Sequence, residues 1–208
     1  MKLTDIPVVY ICPDHTPKYT ERKRYTQAML EGIGFRSITH YKSGTEDYPT
    51  CLAKATIAVL EARLDDSPFI LLEDDCEPFL PLDTATEITF PDDTDALYMG
   101  FSVCAGSPTE NRDEGRSVVE PYSPSHIRIL NMLSAHAILY RSRAYKQAVI
   151  DAMHSIIGKT GYFNDVVIAR LHTSYRIYGY YHPFFYQSEK FGNTVAVRDA
   201  TKIAFASL

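Results

Sequence analysis

Three consecutive acidic residues, Glu73, Asp74 and Asp75, directly follow the apolar run Phe-Ile-Leu-Leu at positions 69–72. No turn residue separates the run from the acids, so the carboxylates lie where a buried strand ends. Ligands of open α/β sheets bind beyond the carboxyl ends of the strands. Three acids crowded there repel one another and raise each other's pKa unless a cation lies among them. The pattern therefore predicts a Mg²⁺ or Mn²⁺ site that combines carboxylate and phosphate oxygens; the alternative is a helix-capping or solvated acid cluster.

The elements that would position these acids alternate strand and helix over the first 75 residues. We expect strands at 6–11, 35–41 and 69–72, with one helix from Thr16 to the glycines at 32 and 34 and another at 50–64. Thr16-Pro17 is typical of a helix N-terminus, and glycine is typical of a helix end. This alternation indicates an α/β fold with a parallel sheet.

The second half of the chain has a less regular pattern. We expect strands at 96–103, 135–140 and 176–181 and helices at 143–157 and 166–172, the latter capped by Asn164 or Asp165. Residues 105–125 are rich in Gly, Pro, Ser and charge and show no periodicity. A segment of this length is typical of a lid over a functional site.

Composition and charge exclude several classes of protein. The chain has 208 residues, of which 21 are basic and 26 acidic, and the net charge of −5 disfavours nucleic acid as a partner. No apolar run is long enough to span a membrane, and Ile6 to Cys12 is too short for a secretory signal. The four cysteines form no Cys-x-x-Cys pair and the seven histidines are scattered. We therefore expect free thiols, no zinc site and a cytoplasmic location.

The acidic motif and its surroundings resemble the GT-A glycosyltransferases, in particular the lipooligosaccharide and collagen galactosyltransferase family. The matching segments are Glu21–Arg24, Leu30, Gly34-Phe35, Cys51–Ala53, Ile70–Asp75, Ala135–Ala137, Ser142, Ala144 and Asp165. The short chain also resembles the single glycosyltransferase domains of large algal viruses. Two features differ: Ala53-Lys54 stands where the family has a Ser-His pair, and residues 107–123 have no counterpart.

The resemblance implies a GT-A-like, Rossmann-like α/β fold with a mixed, mainly parallel sheet and flanking helices. It implies one glycosyltransferase domain over residues 1–208, with a nucleotide-binding half at 1–80 and an acceptor-side half at 81–208. The implied reaction is the metal-dependent, inverting transfer of a sugar from a UDP-linked donor, with Mn²⁺ or Mg²⁺ as cofactor. The implied acceptor is a glycan or glycoprotein, such as a viral capsid glycan, and a viral enzyme of this kind would act in the host cytoplasm.

Given that reaction, the acids and several other residues receive expected roles. Asp75 is the expected direct metal ligand, because it reaches furthest past the strand, and Asp74 is the second. Glu73 or Asp74 would bind a ribose hydroxyl or a metal-bound water. Tyr10, at the end of the first strand, would stack on a uracil ring unless it is a core tyrosine. Three basic side chains would neutralise the diphosphate unless they belong to a solvated helix face: Arg22, Arg24 and Lys54.

An inverting transfer also needs a base for the acceptor hydroxyl. Asp165 is the expected base, because it opens a helix and follows the sequence Gly-Tyr-Phe at 161–163. Alternatively, Asp165 only caps that helix. His182 and His136 are the other candidates, as base or as a further metal ligand.

Other function classes fit the sequence less well. A phosphatase of the haloacid dehalogenase type needs Asp-x-Asp followed by Thr or Ser, whereas Cys76-Glu77-Pro78 follows Asp75 here. A serine hydrolase is disfavoured because the chain lacks a Gly-x-Ser-x-Gly element. A sugar nucleotidyltransferase is disfavoured because Cys12–His15 contains no glycine for a phosphate loop. It stays open as an alternative, as does a non-catalytic nucleotide-sugar or glycan-binding module.

Overall fold

The computed structural model describes residues 1–188 and 190 as a mixed α/β fold. After a 3-10 turn at Leu3–Asp5, the helices are α1 (Pro17–Ile33), α2 (Thr50–Ala62), α3 (Arg143–His154) and α4 (Asn164–Ala169). The strands are β1 (Val8–Cys12), β2 (Ile38–Lys42), β3 (Phe69–Glu73), β4 (Cys76–Pro78), β5 (Ala96–Tyr98), β6 (Cys104–Gly106), β7 (Asp113–Arg116), β8 (Val118–Pro121), β9 (His126–Asn131), β10 (Ala137–Tyr140), β11 (Ile177–Tyr180) and β12 (Phe185–Gln187). Among the described helices, none is both long and apolar enough to cross a membrane.

Eight strands form one sheet in the order β2-β1-β3-β10-β5-β11-β9-β8. β1 pairs in parallel with β2 and β3, and β11 pairs in parallel with β5. β9 and β10 are antiparallel to both of their neighbours, so six of these eight described strands run in one direction. The expected mixed, mainly parallel sheet with flanking helices is confirmed. β1, β3, β5 and β11 therefore end at the same side of the sheet, which we call the carboxyl edge.

Both faces of the sheet are covered by helices, which explains why its central strands are continuous apolar runs. Side chains alternate between the two faces. Val9 and Leu71 pack with α2 and α3, whereas Tyr10 and Leu72 pack with α1. Glu73 continues this alternation toward the α2 face, and the chain then turns into β4.

The first 75 residues fold as the sequence predicts, with small shifts in element boundaries. The side chain of Thr16 accepts a hydrogen bond from the amide of Tyr19 (3.4 Å), and Pro17 is the first residue of α1. Gly34 ends this helix with a φ of 98°, a left-handed conformation that favours glycine. The Thr16 cap and the glycine stop are therefore confirmed.

The second half departs from the prediction between residues 96 and 131. The segment without periodicity contains β6, β7 and β8, and the following β9 has no counterpart among the predicted elements. The strand expected at 96–103 ends at Tyr98. β6 and β7 form a separate two-stranded sheet, and β8 extends the large sheet through β9. The polar sequence of β7, Asp-Glu-Gly-Arg, is exposed throughout, so it lacks the alternation that reveals a strand.

The beginning of α4 also differs from the prediction. Asn164 and Asp165 lie inside the first turn, and Phe163 is the N-cap residue, without a side-chain capping bond. The expectation that Asn164 or Asp165 caps this helix is therefore wrong. Asp165 instead occupies the first turn, where the helix dipole favours a negative charge.

Gly100 follows β5 and leaves room for the imidazole of His136, which is 1% exposed. A Cβ atom at residue 100 would overlap that ring. We therefore predict that Gly100→Ala lowers the free energy of unfolding by about 1–3 kcal/mol, the usual cost of overpacking. Urea denaturation measures this change.

Gly32→Ala is the matched control. Gly32 lies in α1, and an added Cβ atom there meets nothing within 4 Å. Because alanine stabilises helix interiors relative to glycine, this variant should gain about 0.5–1 kcal/mol. Equal free energies of unfolding for Gly100→Ala and the wild-type protein would contradict the close packing of His136 on Gly100.

Candidate active site

The acidic motif lies at the carboxyl edge, where β3 turns into β4. Glu73 is the last residue of β3, and its amide donates a hydrogen bond to the carbonyl of His136 (2.9 Å), beside β10. Asp74 and Asp75 form the turn, and only 8% and 7% of their surfaces are exposed. The neighbours of the three acids differ, so the motif divides into two parts.

The first part is Asp74, which fastens α1 to the end of β3. Its Oδ1 forms an ion pair with Nη1 of Arg22 (3.2 Å), and its Oδ2 accepts a hydrogen bond from Sγ of Cys12 (3.3 Å). Burial raises the pKa of Cys12 to about 12, and the charge of Asp74 adds to the shift, so the thiol stays protonated and donates. The hydroxyl of Thr26 donates to the carbonyl of Asp74 (3.2 Å). Both carboxylate oxygens of Asp74 therefore have protein partners on the α1 face.

The second part joins an acid from the other half of the chain. Burial raises the pKa of Glu73 well above its usual range, and the charges of Asp75, Asp165 and Asp74 raise it further. The first two of these charges belong to the turn after β3 and to the first turn of α4. We call Glu73, Asp75 and Asp165 the acid cluster. The fold thus brings together the expected base and two of the expected donor-binding acids.

Two aromatic residues beside the acid cluster are missed by the sequence analysis. Although most of the Tyr48 side chain is exposed, desolvation raises the pKa of its hydroxyl, and the charges of Glu73, Asp165 and Asp75 add to the shift. Tyr48 therefore lies beside these acids. The ring centroid of Phe163 lies 6.5 Å from that of Tyr48. Tyr48 lies in the loop between β2 and α2. Because ligands of open α/β sheets bind at the carboxyl ends of the strands, this loop position is a signal in the sequence that could have indicated Tyr48.

Tyr10 lies on the opposite face of the sheet from Glu73. Its side chain is fully buried toward α1, and its hydroxyl donates a hydrogen bond to Oε1 of Gln27 (3.0 Å). Its ring centroid lies 5.0 Å from that of His40. Burial raises the pKa of Tyr10 to about 12. A base can stack on this ring only by displacing its neighbours, so Tyr10 has the surroundings of a core residue.

The expected diphosphate-binding cations lie on different surfaces. Lys54 on α2 forms an ion pair with Glu46, with 2.6 Å between Nζ and Oε1. Arg24 is exposed on α1. Arg22 is buried against Asp74. The fold does not bring these three cations together.

The two histidine candidates also lie apart. His136 is buried beside Glu73, and its carbonyl accepts hydrogen bonds from the amide of Glu73 and from Sγ of Cys76 (3.0 Å). His182 is exposed beyond β11 and lines a cavity of about 700 Å³ with Tyr180 and other residues of the α1 face. β11 is three strands from β3 in the sheet, about 14 Å at the usual strand spacing. His136 is therefore the nearer of the two to the acid cluster.

The donor set of the acid cluster fits a divalent cation only together with a ligand. Among residues 1–188 and 190, no three His, Cys, Asp or Glu side chains are arranged to hold a metal ion by themselves. Mg²⁺ is usually bound by one or two carboxylates plus substrate phosphates, so a complete protein cage is not required. Glu73 and Asp75 supply hard oxygen donors. Burial and, after it, the charges of neighbouring acids raise the pKa of Glu73, and a cation would offset the contribution of those charges.

Comparison with known proteins identifies the fold but no family. No family model matches the chain, and no curated protein matches its sequence. Among solved structures, a glycosyltransferase involved in glycosylation of the major capsid of the virus PBCV-1 is similar, with 12% identity and a TM-score of 0.51. The match covers 96% of this chain and 98% of that chain. The protein therefore has a glycosyltransferase-like fold of the GT-A type.

Two further structures are less similar. A197 from STIV has 11% identity and a TM-score of 0.41, over 84% of this chain and 81% of that chain. The UTP-bound UGPase from Acinetobacter baumannii has 12% identity and a TM-score of 0.36, over 78% of this chain and 60% of that chain. These TM-scores are too low to support an inference about the function of this chain.

The raised pKa of Glu73 makes the stability of the protein depend on pH. The folded state holds this proton more tightly than the unfolded state, in which glutamate has a pKa of about 4.3. Stability is therefore lost as the pH rises from that value through the raised pKa of the folded state. We predict that the stability of Glu73→Gln, which cannot ionise, increases relative to wild type as the pH rises above about 4.3.

Urea denaturation with a chelator present measures this difference at each pH. Glu46→Gln is the control, because a hydrogen bond from Lys54 lowers the pKa of Glu46. Its stability relative to wild type should therefore change in the opposite direction and only at acidic pH, below about 4.3, and should stay nearly constant above that pH. A difference between Glu73→Gln and wild type that is constant across the pH range would contradict the raised pKa.

Proposed function

We propose that the protein is a glycosyltransferase that moves a sugar from a nucleotide diphosphate donor to a glycan or glycoprotein. The proposed donor is a UDP-sugar. The observation that carries this proposal is the acid cluster, where carboxylates from β3, its turn and α4 lie close enough at the carboxyl edge for their charges to interact. Ligands of open α/β sheets bind at this edge. The fold shared with the PBCV-1 enzyme supports the reaction class. A viral capsid glycan is one acceptor of the proposed class.

Glu73 and Asp75 would bind the donor. Asp75 would contact Mn²⁺ or Mg²⁺ together with diphosphate oxygens, and Glu73 would accept a hydrogen bond from a ribose hydroxyl or a metal-bound water. When bound, the cation would neutralise the charge that develops on the leaving diphosphate. Asp74 would keep its ion pair with Arg22 and so hold in place the turn that carries both of its neighbours.

Asp165 would be the base for the acceptor hydroxyl. Its Oδ2 accepts a hydrogen bond from the amide of Ser134 (3.4 Å), which restrains the direction of the carboxylate. Asp165 approaches from α4, whereas Glu73 and Asp75 approach from β3. Inversion needs the base and the leaving diphosphate on opposite sides of the anomeric carbon, and residues from two separate elements suit that requirement.

The segment 104–121 would form the acceptor side of the site. The side-chain amide of Asn131 makes two hydrogen bonds to the backbone of Gly106 (2.9 and 2.7 Å), and Nη2 of Arg170, beyond α4, donates to the carbonyl of Glu110 (2.9 Å). These bonds fasten the segment to β9 and to the end of α4. We therefore infer a fixed wall of the acceptor site rather than a free lid.

A thermal-shift panel of nucleotide sugars with and without Mn²⁺ tests the donor site. A ligand that binds only the folded state adds RT ln(1 + [L]/Kd) to stability, so Tm reports binding. We expect UDP-sugars to raise the Tm of the wild-type protein in a Mn²⁺-dependent way. Asp75→Asn keeps the side-chain volume and removes the charge, so the fold should persist while Mn²⁺-dependent UDP binding weakens about tenfold or more, or 1.4 kcal/mol.

Asp74→Asn is the matched control for this substitution. It removes the negative charge that forms the buried ion pair with Arg22, so it should lower stability by about 3–5 kcal/mol. The Mn²⁺ dependence of UDP binding should persist in the folded protein.

Unchanged Mn²⁺-dependent UDP affinity in Asp75→Asn would contradict the donor site. Binding of a UDP-sugar without its turnover would indicate a non-catalytic nucleotide-sugar-binding module.

Asp165→Asn tests the base. Asparagine keeps the size of the side chain and an oxygen that can accept the hydrogen bond from Ser134, so stability and UDP binding should stay near their wild-type values. The amide cannot take a proton, so kcat should fall by roughly 10²–10⁴. Steady-state kinetics measures the loss. If the variant instead loses stability and keeps its turnover, Asp165 is structural, and His136 and His182 become the candidates.

A further inference from the structure

Two exposed aromatic rings stand at the border of the acid cluster. Tyr48 is 61% exposed and Phe163 is 42% exposed, and it is adjacent exposed apolar side chains, rather than single ones, that mark binding surfaces. Their ring centroids are 6.5 Å apart and the ring planes are inclined by 42°. The two residues come from opposite halves of the chain, one before α2 and the other before α4. Together they present an open aromatic surface next to carboxylates.

The backbone that carries Phe163 is held by hydrogen bonds. Its amide donates to Oδ1 of Asn111 (3.2 Å), and Nδ2 of the same asparagine donates to the carbonyl of Gly161. Asn111 thus bonds to both ends of the turn 161–163 and restrains the ring that follows it. Because ordering a surface before a ligand arrives reduces the entropy lost on binding, this restraint favours a binding role.

The chemistry next to the two rings selects the class of ligand. Glu73, Asp75 and Asp165 repel an anion unless a cation accompanies it. A pyranose ring is neutral, and it combines a flat face of C–H groups with hydroxyls at its rim. The aromatic faces can contact the C–H groups, while carboxylates can accept hydrogen bonds from the hydroxyls. The exposed rings therefore match the C–H face of a sugar ring, and the adjacent carboxylates match its hydroxyls.

We propose that Tyr48 and Phe163 form an aromatic subsite that binds a pyranose ring of the acceptor saccharide. This inference rests on the proposed function, since the acceptor is bound where the base can reach it. Phe163 precedes Asp165 by two residues, so a sugar bound on this ring would lie in the neighbourhood of the proposed base. Under the proposed function the donor diphosphate binds at Asp75. The two rings would thus determine which acceptors bind rather than which donor binds.

Saturation-transfer NMR with a panel of methyl pyranosides tests the subsite without requiring turnover. The wild-type protein should transfer saturation to at least one pyranoside, most strongly to the protons of one ring face. Phe163→Ala and Tyr48→Ala should each weaken that binding by about tenfold, whereas Tyr48→Phe, which keeps the ring, should weaken it less. UDP binding with Mn²⁺, measured on the same samples, should stay at the wild-type value in all three variants.

Tyr122→Ala is the matched control, because Tyr122 is a 51% exposed tyrosine whose ring lies against Tyr178 instead. It should bind pyranosides as the wild-type protein does.

The proposal is overturned if no pyranoside binds or if Phe163→Ala binds pyranosides as well as wild type does. It is also overturned if tetramethylammonium displaces the sugar, which would indicate a cation site. Loss of UDP affinity in Phe163→Ala would assign the rings to the donor. Failure of wild type to bind UDP would instead contradict the proposed function.

Discussion

Four acidic residues lie at and just beyond the end of β3, and the site depends on how the fold directs their side chains to different partners. Asp74 turns to α1 and pairs with Arg22. Burial acts to raise the pKa of Glu77, but hydrogen bonds donated by the hydroxyls of Tyr25, Ser188 and Tyr186 together lower it. Glu73 lies near Asp75 and Asp165, and its burial together with the charges of these acids raises its pKa. The acid cluster thus concentrates carboxylates at one place on the carboxyl edge, where we propose that a cation and an anionic donor bind.

Helix α1 is bound to this motif by polar contacts on one of its faces. Arg22 pairs with Asp74, Tyr25 donates to Glu77, and Thr26 donates to the carbonyl of Asp74. Residues three and four apart lie on the same face of a helix, so these donors reach the turn together. Arg22 and Thr26 are themselves buried, which explains why the helix lacks a continuous apolar stripe. The same contacts that anchor the helix fix the direction of the acidic turn.

Local signals in the sequence predict the first half of the fold, and long-range proximity accounts for most of what they miss. The Thr16 cap, the stop at Gly34 and the apolar strand before Glu73 are each visible within a few residues. The closeness of Asp165 to Glu73 depends on tertiary packing that no local pattern contains. Tyr10 is a different case, because alternation with Val9 and Ile11 already assigns it to the other face. The exposed strand β7 carries no apolar pattern at all.

A crystal structure of the protein with UDP and Mn²⁺ tests the central claim most directly, because anomalous scattering locates the ion independently of the nucleotide. We expect one Mn²⁺ coordinated jointly by a carboxylate oxygen of Asp75 and by diphosphate oxygens, with Asp74 still paired to Arg22. We also expect the nucleotide to lie at the carboxyl edge of β1 and β3. Mn²⁺ bound at another place, or UDP bound without any contribution from Asp75, would contradict the proposed donor site.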